Sequence, residues 1–372
     1  MAGSVGENKF RVLVLGGCGF LGRHFTEFLI KNELVSKIRV VDKVPPQTAW
    51  LNKYHQEIFA NSLVEFKSAN LINSASCQNA FSDSEGTFDF VINFAAETKT
   101  GQSDAVYREG IVKLSINCAK ESCKQKVKRY VEISSGQVYA NEKMPSKETS
   151  QLDPWTTMGK LKLEVEKELS SFSDLNYIVL RPAIVYGKGD KQGLTPRLVV
   201  GAVYKHLGEM MKLLWTKDLK MNTVHVSDVS RAVWHVCMNG KKGEVYNVVD
   251  KGESTQGKIS SIISDIFNIN HDYFGSAMST LAKLDLNNLV EEINDKHLGP
   301  WAEACAKDGI CNTPLNPYLH SELLNDKHLN LNGNKLDATG FVYQVPSITK
   351  ENLREVIDDY VEMNLFPRSL AL

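Results

Sequence analysis

The first chemistry legible in the chain is carried by glycines at positions 16, 19 and 22. They follow the apolar run Val12-Leu13-Val14-Leu15, enclose Phe20 and Leu21, and lead into a helical pattern through Phe25, Phe28 and Leu29. Bare backbone at G-x-x-G-x-x-G spacing, opening on a helix N-terminus, offers a pyrophosphate close approach, outward N–H groups and the positive end of a helix dipole. Asp42 closes the next apolar run, Lys37 to Val41, about 20 residues on, where a carboxylate accepts from the adenosine ribose hydroxyls. The pattern favours NAD over NADP, because a 2′-phosphate would be repelled; Lys43 softens that preference. Asn70, with Leu71 beside it, follows a third run at Leu63 to Ser68 and is placed for an adenine contact. Ala95 and Ala96 follow a fourth run, Phe88 to Phe94, and are small enough to let backbone come close to a cofactor. A glycine triplet alone is equally a tight turn between a buried strand and a helix, so the elements around it decide.

Those elements alternate. Helical patterns separate the four runs, a long helix is expected over Asp104 to Cys123, and a fifth strand at Arg129 to Ile133 opens into Ser134-Ser135. Strand and helix repeated at this spacing predict an α/β fold, a doubly wound parallel sheet with helices on both faces and sites at the carboxyl ends of its strands. The second half is less regular. Asn176 to Leu180, Thr223 to Val226 and Glu244 to Val249 read as strands, and Ser227-Asp228 is expected to cap a helix from Val229 to Cys237. Leu281 to Asp308 is amphipathic, and Gly299-Pro300 is expected to break it in two. The domain expectation is a dinucleotide-binding domain over 1–175, to which 176–185 and 220–250 partly return. A mixed C-terminal domain over 186–372 follows, with a helical insertion near 275–310.

Composition narrows the class. The chain has 372 residues, 42% of them hydrophobic, and a net charge of −1 with both signs interspersed. There is no basic footprint for nucleic acid, no run of eighteen apolar residues to span a membrane, and no apolar leader between Met1 and Lys9. Seven cysteines without close-spaced pairs or Cys/His clusters fit neither a disulfide framework nor a zinc site; reduced thiols in a cytoplasmic setting are the expectation, with no metal.

Taken together, the glycine loop, Asp42, Asn93-Phe94-Ala95-Ala96, Ser134-Ser135 with Val138-Tyr139, Arg181-Pro182 with Val185-Tyr186-Gly187, His225 to Val229, and Tyr246-Asn247 resemble an extended short-chain dehydrogenase/reductase. This is the NAD-dependent epimerase/dehydratase group, and Val41-Asp42-Lys43 and the total length look most like its 3-beta-hydroxysteroid dehydrogenase branch. The resemblance implies a Rossmann domain, a smaller interleaved substrate domain, NAD contacts that include Pro182, and the family habit of homodimerising through a four-helix bundle. It also implies catalysis by a Ser, a Tyr and a Lys four residues after that Tyr: Tyr moves the substrate proton, Lys holds the nicotinamide ribose and lowers the Tyr pKa, and Ser polarises the substrate oxygen.

Here the chain departs from its family. Ser135 occupies the Ser position and Lys162 the Lys position, with Gly159 and Glu166 in register, but the Tyr position is Met158, whose thioether has no proton to give. The literal Tyr139-x-x-x-Lys143 follows the wrong strand. Substitute donors among Tyr139, Thr157, Glu97, Tyr186 and a water held by Lys162 are not separable from packing or solvation, and His225 reads as structural. Two functions follow. One is an NAD(H)-binding scaffold, regulatory subunit or redox sensor with a protein partner, which Met158 favours. The other is an NAD-dependent oxidoreductase, epimerase or dehydratase acting on a nucleotide sugar or sterol-like alcohol through a displaced proton donor.

Overall fold

Continuous rather than alternating apolar runs make strands that are covered on both faces. In the computed structural model, which describes residues 9–140, 144–274, 279, 280, 282 and 284–371, these runs become β1 (Phe10–Leu15), β2 (Val35–Asp42), β3 (Val64–Ser68), β4 (Phe90–Asn93), β5 (Arg129–Ile133) and β6 (Tyr177–Pro182). Helices α1 (Phe20–Lys31), α2 (Lys53–Phe59), α3 (Ser74–Phe81), α4 (Asp104–Tyr107), α5 (Leu114–Lys124) and α6 (Thr157–Leu169) are interspersed. Beyond them come β7 (Ile184–Tyr186), α7 (Thr195–Leu207), β8 (Met211–Leu213), β9 (Thr223–His225), α8 (Val226–Asn239), β10 (Val245–Val248), α9 (Gln256–Phe267) and β11 (His271–Tyr273).

The central sheet has seven strands in the order β10-β6-β5-β4-β1-β2-β3. Its neighbours from β3 through to β6 pair in parallel. This is the Rossmann-type sheet expected from the alternating pattern. Strand order reverses at β1, so the loops leaving β1 and β4 emerge side by side: Leu15 is in register with Asn93, and Phe94 N donates to Leu15 O at 2.9 Å. In open α/β sheets that switch point is where ligands bind.

The chain divides into two compact units, each of several segments. The first holds the chain up to Ser134 with Leu161–Arg181 and Ser230–Tyr246; the second holds Ser135–Lys160, Pro182–Val229 and the chain from Asn247 onward. Residues 135–160 therefore group with the second unit. Within it, a methyl added at Gly136 would lie 2.7 Å from the Leu331 side chain, and Tyr139 donates to Asn247 at 2.7 Å.

Three local expectations change. The run from Asp104 to Lys124 is helical but contains a π segment at Arg108–Lys113, where the Gly110 carbonyl accepts from Glu97 N at 3.0 Å. Ser227 and Asp228 sit inside the first turn of α8 instead of ahead of it, and the Asp228 carboxylate accepts from Gln344 N and Val345 N at 2.9 and 2.8 Å. Gly299-Pro300 does not divide the helix: Leu286–Lys307 is one element with Pro300 inside, while Leu281, the expected start, lies outside the described residues. Val290, Asn294, His297, Trp301, Ala304 and Cys305 form its buried face. Burial of that stripe outweighs the ~3 kcal/mol that an interior proline costs.

Candidate functional site

Within the first unit, the β1–α1 loop forms a cradle whose shape depends on its glycines. Gly16 has φ +71°, and a methyl there would lie 2.6 Å from Ala95 N, so the glycine lets the β1 and β4 loops touch. A methyl on Gly22 would lie 2.4 Å from Gly17 Cα. Gly19 is the N-cap of α1 and contributes no side-chain cap, leaving the first-turn amides of Phe20, Leu21 and Gly22 directed outward by helix geometry. Asp42 is positioned by Cys18 N on Oδ2 at 3.1 Å and Val44 N on Oδ1 at 3.0 Å. Burial pushes its carboxyl pKa up, and those amides oppose the rise. Lys43 is exposed and lies 3.5 Å from Glu97. Asn70 is exposed with its Oδ1 accepting from Ile72 N at 3.1 Å; Leu71 is buried, and its carbonyl accepts from Asn117 at 3.0 Å. Cys18 is buried and its thiol is pushed up to about 12, chiefly by burial, as a packing residue would be. An uncapped helix N-terminus, a close glycine turn and a fixed carboxylate fit a dinucleotide's pyrophosphate and adenosine ribose.

Behind the cradle, the ends of β4 and β5 bury a polar cluster. Glu132 on β5 is fully buried and accepts from four groups: Lys162 Nζ at 3.0 Å, Ser115 Oγ at 3.1 Å, Asn93 Nδ2 at 2.8 Å and the Tyr130 hydroxyl at 2.7 Å. Asn93 Oδ1 in turn accepts from Ala95 N at 3.1 Å, which ties the cluster to the loop after β4. Lys162, only 4% exposed, thus has a resident carboxylate partner. Glu166, one turn further along α6, accepts from Ser134 Oγ and pairs with Arg181 through Nε at 3.0 Å. Its place in the motif is structural.

In the second unit, Ser135 begins the turn after β5, and its Oγ accepts from Gln137 N at 3.1 Å, leaving its O–H to donate elsewhere. Met158 is half-buried on the first turn of α6, with no proton donor of its own. Immediately before it, Thr157 donates its hydroxyl to Glu322 at 2.5 Å. Among the other donors considered from sequence, Tyr139 is buried against Asn247, and the buried Tyr186 hydroxyl has no partner among the described residues, with its pKa pushed up by burial. Lys143 lies outside the described residues. His225 bonds Ser227 Oγ at 2.7 Å and packs edge-on to Tyr186, a structural role. Pro182 ends β6, and its carbonyl lies 3.0 Å from where a methyl on Gly136 would stand. Sequence reasoning missed Glu132 and Glu322. An acidic residue inside the apolar strand Arg129–Ile133 was a readable signal for Glu132; Glu322, 165 residues from Thr157, left none.

A sequence profile described as the NAD dependent epimerase/dehydratase family matches residues 12–249. A sterol-4-alpha-carboxylate 3-dehydrogenase of Candida albicans is 28% identical over 287 residues, covering 75% of this chain and 76% of its own. A bifunctional UDP-glucose and UDP-xylose 4-epimerase of Pisum sativum is 29% identical over 164 residues, 42% of this chain and 46% of its own. The plant sugar-nucleotide epimerases thus match over less than half of their own length. UDP-glucose 4-epimerase of Thermus thermophilus, solved with NAD, superposes with a TM-score of 0.66 at 19% identity, covering 94% of this chain and 99% of that one. At that identity the likeness speaks for the fold. Among the described residues no helix is long and apolar enough to cross a membrane.

Proposed function

The chain belongs to the NAD-dependent epimerase/dehydratase family, and from that membership we propose that it oxidises or epimerises a secondary alcohol of a nucleotide-activated sugar, with Thr157 and Glu322 in place of the missing tyrosine. One observation carries the reading: the hydroxyl next to Met158 is already hydrogen-bonded to a carboxylate, at 2.5 Å. NAD supplies hydride acceptance and return. Bound NAD would take up the hydride of an alcohol oxidation, and the residues present would handle the proton: the substrate O–H proton passes to Thr157 Oγ as that hydroxyl's own proton moves to Glu322. Within the second unit Ser135 would hold the substrate oxygen through its remaining O–H; within the first, the glycine loop and Asp42 would hold the dinucleotide. Relatives named for work on UDP-sugars support the substrate class.

A second reading, a protein that binds NAD without turnover, is favoured by Met158 and by the neutralising pair that engages Lys162. In this reading the first unit's cradle and a protein partner, or a second copy of the chain, carry the function.

The test is a panel of UDP- and dTDP-sugars with wild-type protein, Thr157→Val and Glu322→Gln, read by NADH absorbance and by product epimer. Turnover by wild type that both variants lose supports the proposal. Absence of turnover, with NAD still raising the melting temperature, leaves the binding protein.

A further inference from the structure

Outside the cofactor cradle, the first unit gathers three metal-ligating side chains that the sequence keeps apart. His24 and Glu27 share one face of α1 at i,i+3 spacing, and His55 comes from α2. The Glu27 carboxylate lies between the two imidazoles: Oε2 is 3.4 Å from His24 Nδ1 and 3.0 Å from His55 Nε2, and the three ligand atoms all lie within 4.8 Å of one another.

We propose that His24, Glu27 and His55 form a binding site for a divalent cation of the zinc class, distinct from the dinucleotide cradle. Ligands held about 2.0–2.2 Å from a tetrahedral zinc stand roughly 3.3–3.5 Å from each other, so both nitrogen-to-carboxylate distances are already close to those of a loaded site. Loading would bring all three pairs to that spacing, with the His55–Glu27 hydrogen bond exchanged for bonds to the metal. Two imidazoles and one carboxylate are a borderline, nitrogen-rich set that selects zinc over the oxygen-seeking calcium and magnesium. The second sphere is in place on the carboxylate: Lys31 Nζ donates to Glu27 Oε1 at 2.9 Å, fixing that oxygen and leaving Oε2 to the metal. His55 Nδ1 is buried with no hydrogen-bond partner among the described residues, so the ring is held in the cluster through Nε2 alone. His24 and Glu27 keep 12% and 18% side-chain exposure against 2% for His55, which leaves the fourth position on the solvent side of the cluster for water. The cation would fasten α2 to α1. It would add to the tie that Arg23 of α1 makes to the segment ahead of α2, donating to Ala49 O at 2.7 Å and Trp50 O at 2.8 Å.

The experiment titrates untagged full-length protein with zinc by calorimetry and with cobalt by visible absorption. One equivalent of zinc, a cobalt spectrum of nitrogen and oxygen ligands, and at least about tenfold weaker binding in each of Glu27→Gln, His55→Gln and His24→Gln are expected. The NAD-induced rise in melting temperature is measured on each variant as the sign of an intact fold. Should His55→Gln misfold, His24→Gln, at the more exposed position, still decides the matter. The proposal is overturned by no binding at about 1 mM zinc, by affinity unchanged in the folded variants, or by thiolate charge-transfer bands that place cobalt on cysteine.

Discussion

Replacing Lys162 with Met removes the one cation among the four groups that donate to the Glu132 carboxylate. Glu132 has no exposed side-chain surface and Lys162 keeps 4%, so solvent does not compensate what is lost. Breaking a buried pair from one side costs about 3–5 kcal/mol, because the remaining charge stays buried with neutral partners alone. Lys162→Met is therefore expected to lower the unfolding free energy by about 3–5 kcal/mol in urea. Glu132→Gln added to it should recover more than half, since the amide oxygen still accepts from Asn93 and Tyr130 and no lone charge remains; the residual loss should be about 1–2 kcal/mol. The same two proteins test the cofactor role of Lys162. If its ammonium also reaches the ribose, the stable double variant will bind NAD more weakly than wild type. A loss below about 1 kcal/mol in Lys162→Met, or a double variant no more stable than the single, would refute the view that the pair is a mutually dependent buried unit.

Asp42→Ala should weaken NAD more than NADP in thermal-shift titrations, because only the unphosphorylated ribose benefits from the carboxylate; equal losses would remove Asp42 from the ribose site. Gly22→Ala places a methyl 2.4 Å from Gly17 Cα and should cost about 1–3 kcal/mol with loss of the NAD-induced shift, and an unchanged shift would mean the loop tolerates opening. Asp250, buried and held by Thr223 and Gly252 N, has its pKa raised from 3.8 to about 6 by burial. A raised carboxylate stabilises the fold below its unfolded pKa and loses that contribution as pH rises through the folded one. Asp250→Asn should therefore gain on wild type by up to about 3 kcal/mol between about pH 4 and pH 7, and a pH-independent difference in urea midpoints would contradict it.

The fold was legible because its signals are local and periodic. Val12 to Leu15, Val40-Val41 and Val91-Ile92 are buried strands whose apolar runs need no distant information, and the glycines of the β1–α1 loop announce a turn that other residues cannot make. Pro300 misled because its penalty is local while the burial of Trp301, His297 and Ala304 that outweighs it is tertiary. The site was legible in halves. Residues proposed to face a dinucleotide, such as Gly19 and Asp42, follow from chemistry and spacing. Their supports do not, since Glu132 reaches Lys162 across 30 residues, Glu322 reaches Thr157 across 165, and His55 meets Glu27 across 28. A linear motif marks a side chain's place but not which charge neutralises it.

That neutralisation makes the missing tyrosine more than a single substitution. In the family's chemistry a free ammonium four residues along the helix draws a phenol's pKa down from about 10 toward neutrality. Here the Lys162 ammonium is 3.0 Å from a buried carboxylate, and the pair presents little net positive field. Met158→Tyr alone should accordingly leave a phenol near its ordinary pKa and restore no tyrosine-dependent turnover. Adding Glu132→Gln frees the ammonium, and an unopposed positive charge within about 4–6 Å lowers such a pKa by about 1–3, raising the phenolate fraction at pH 7 by about 10- to 500-fold. Difference absorbance titration of tyrosinate, each variant against its Met158 parent, reads this without knowing the substrate. Equal phenol pKa values in the two variants would show that Glu132 does not mask Lys162. A separation of the expected size would show that Glu132 masks the Lys162 ammonium, so that restoring the tyrosine alone restores only half of the family's arrangement.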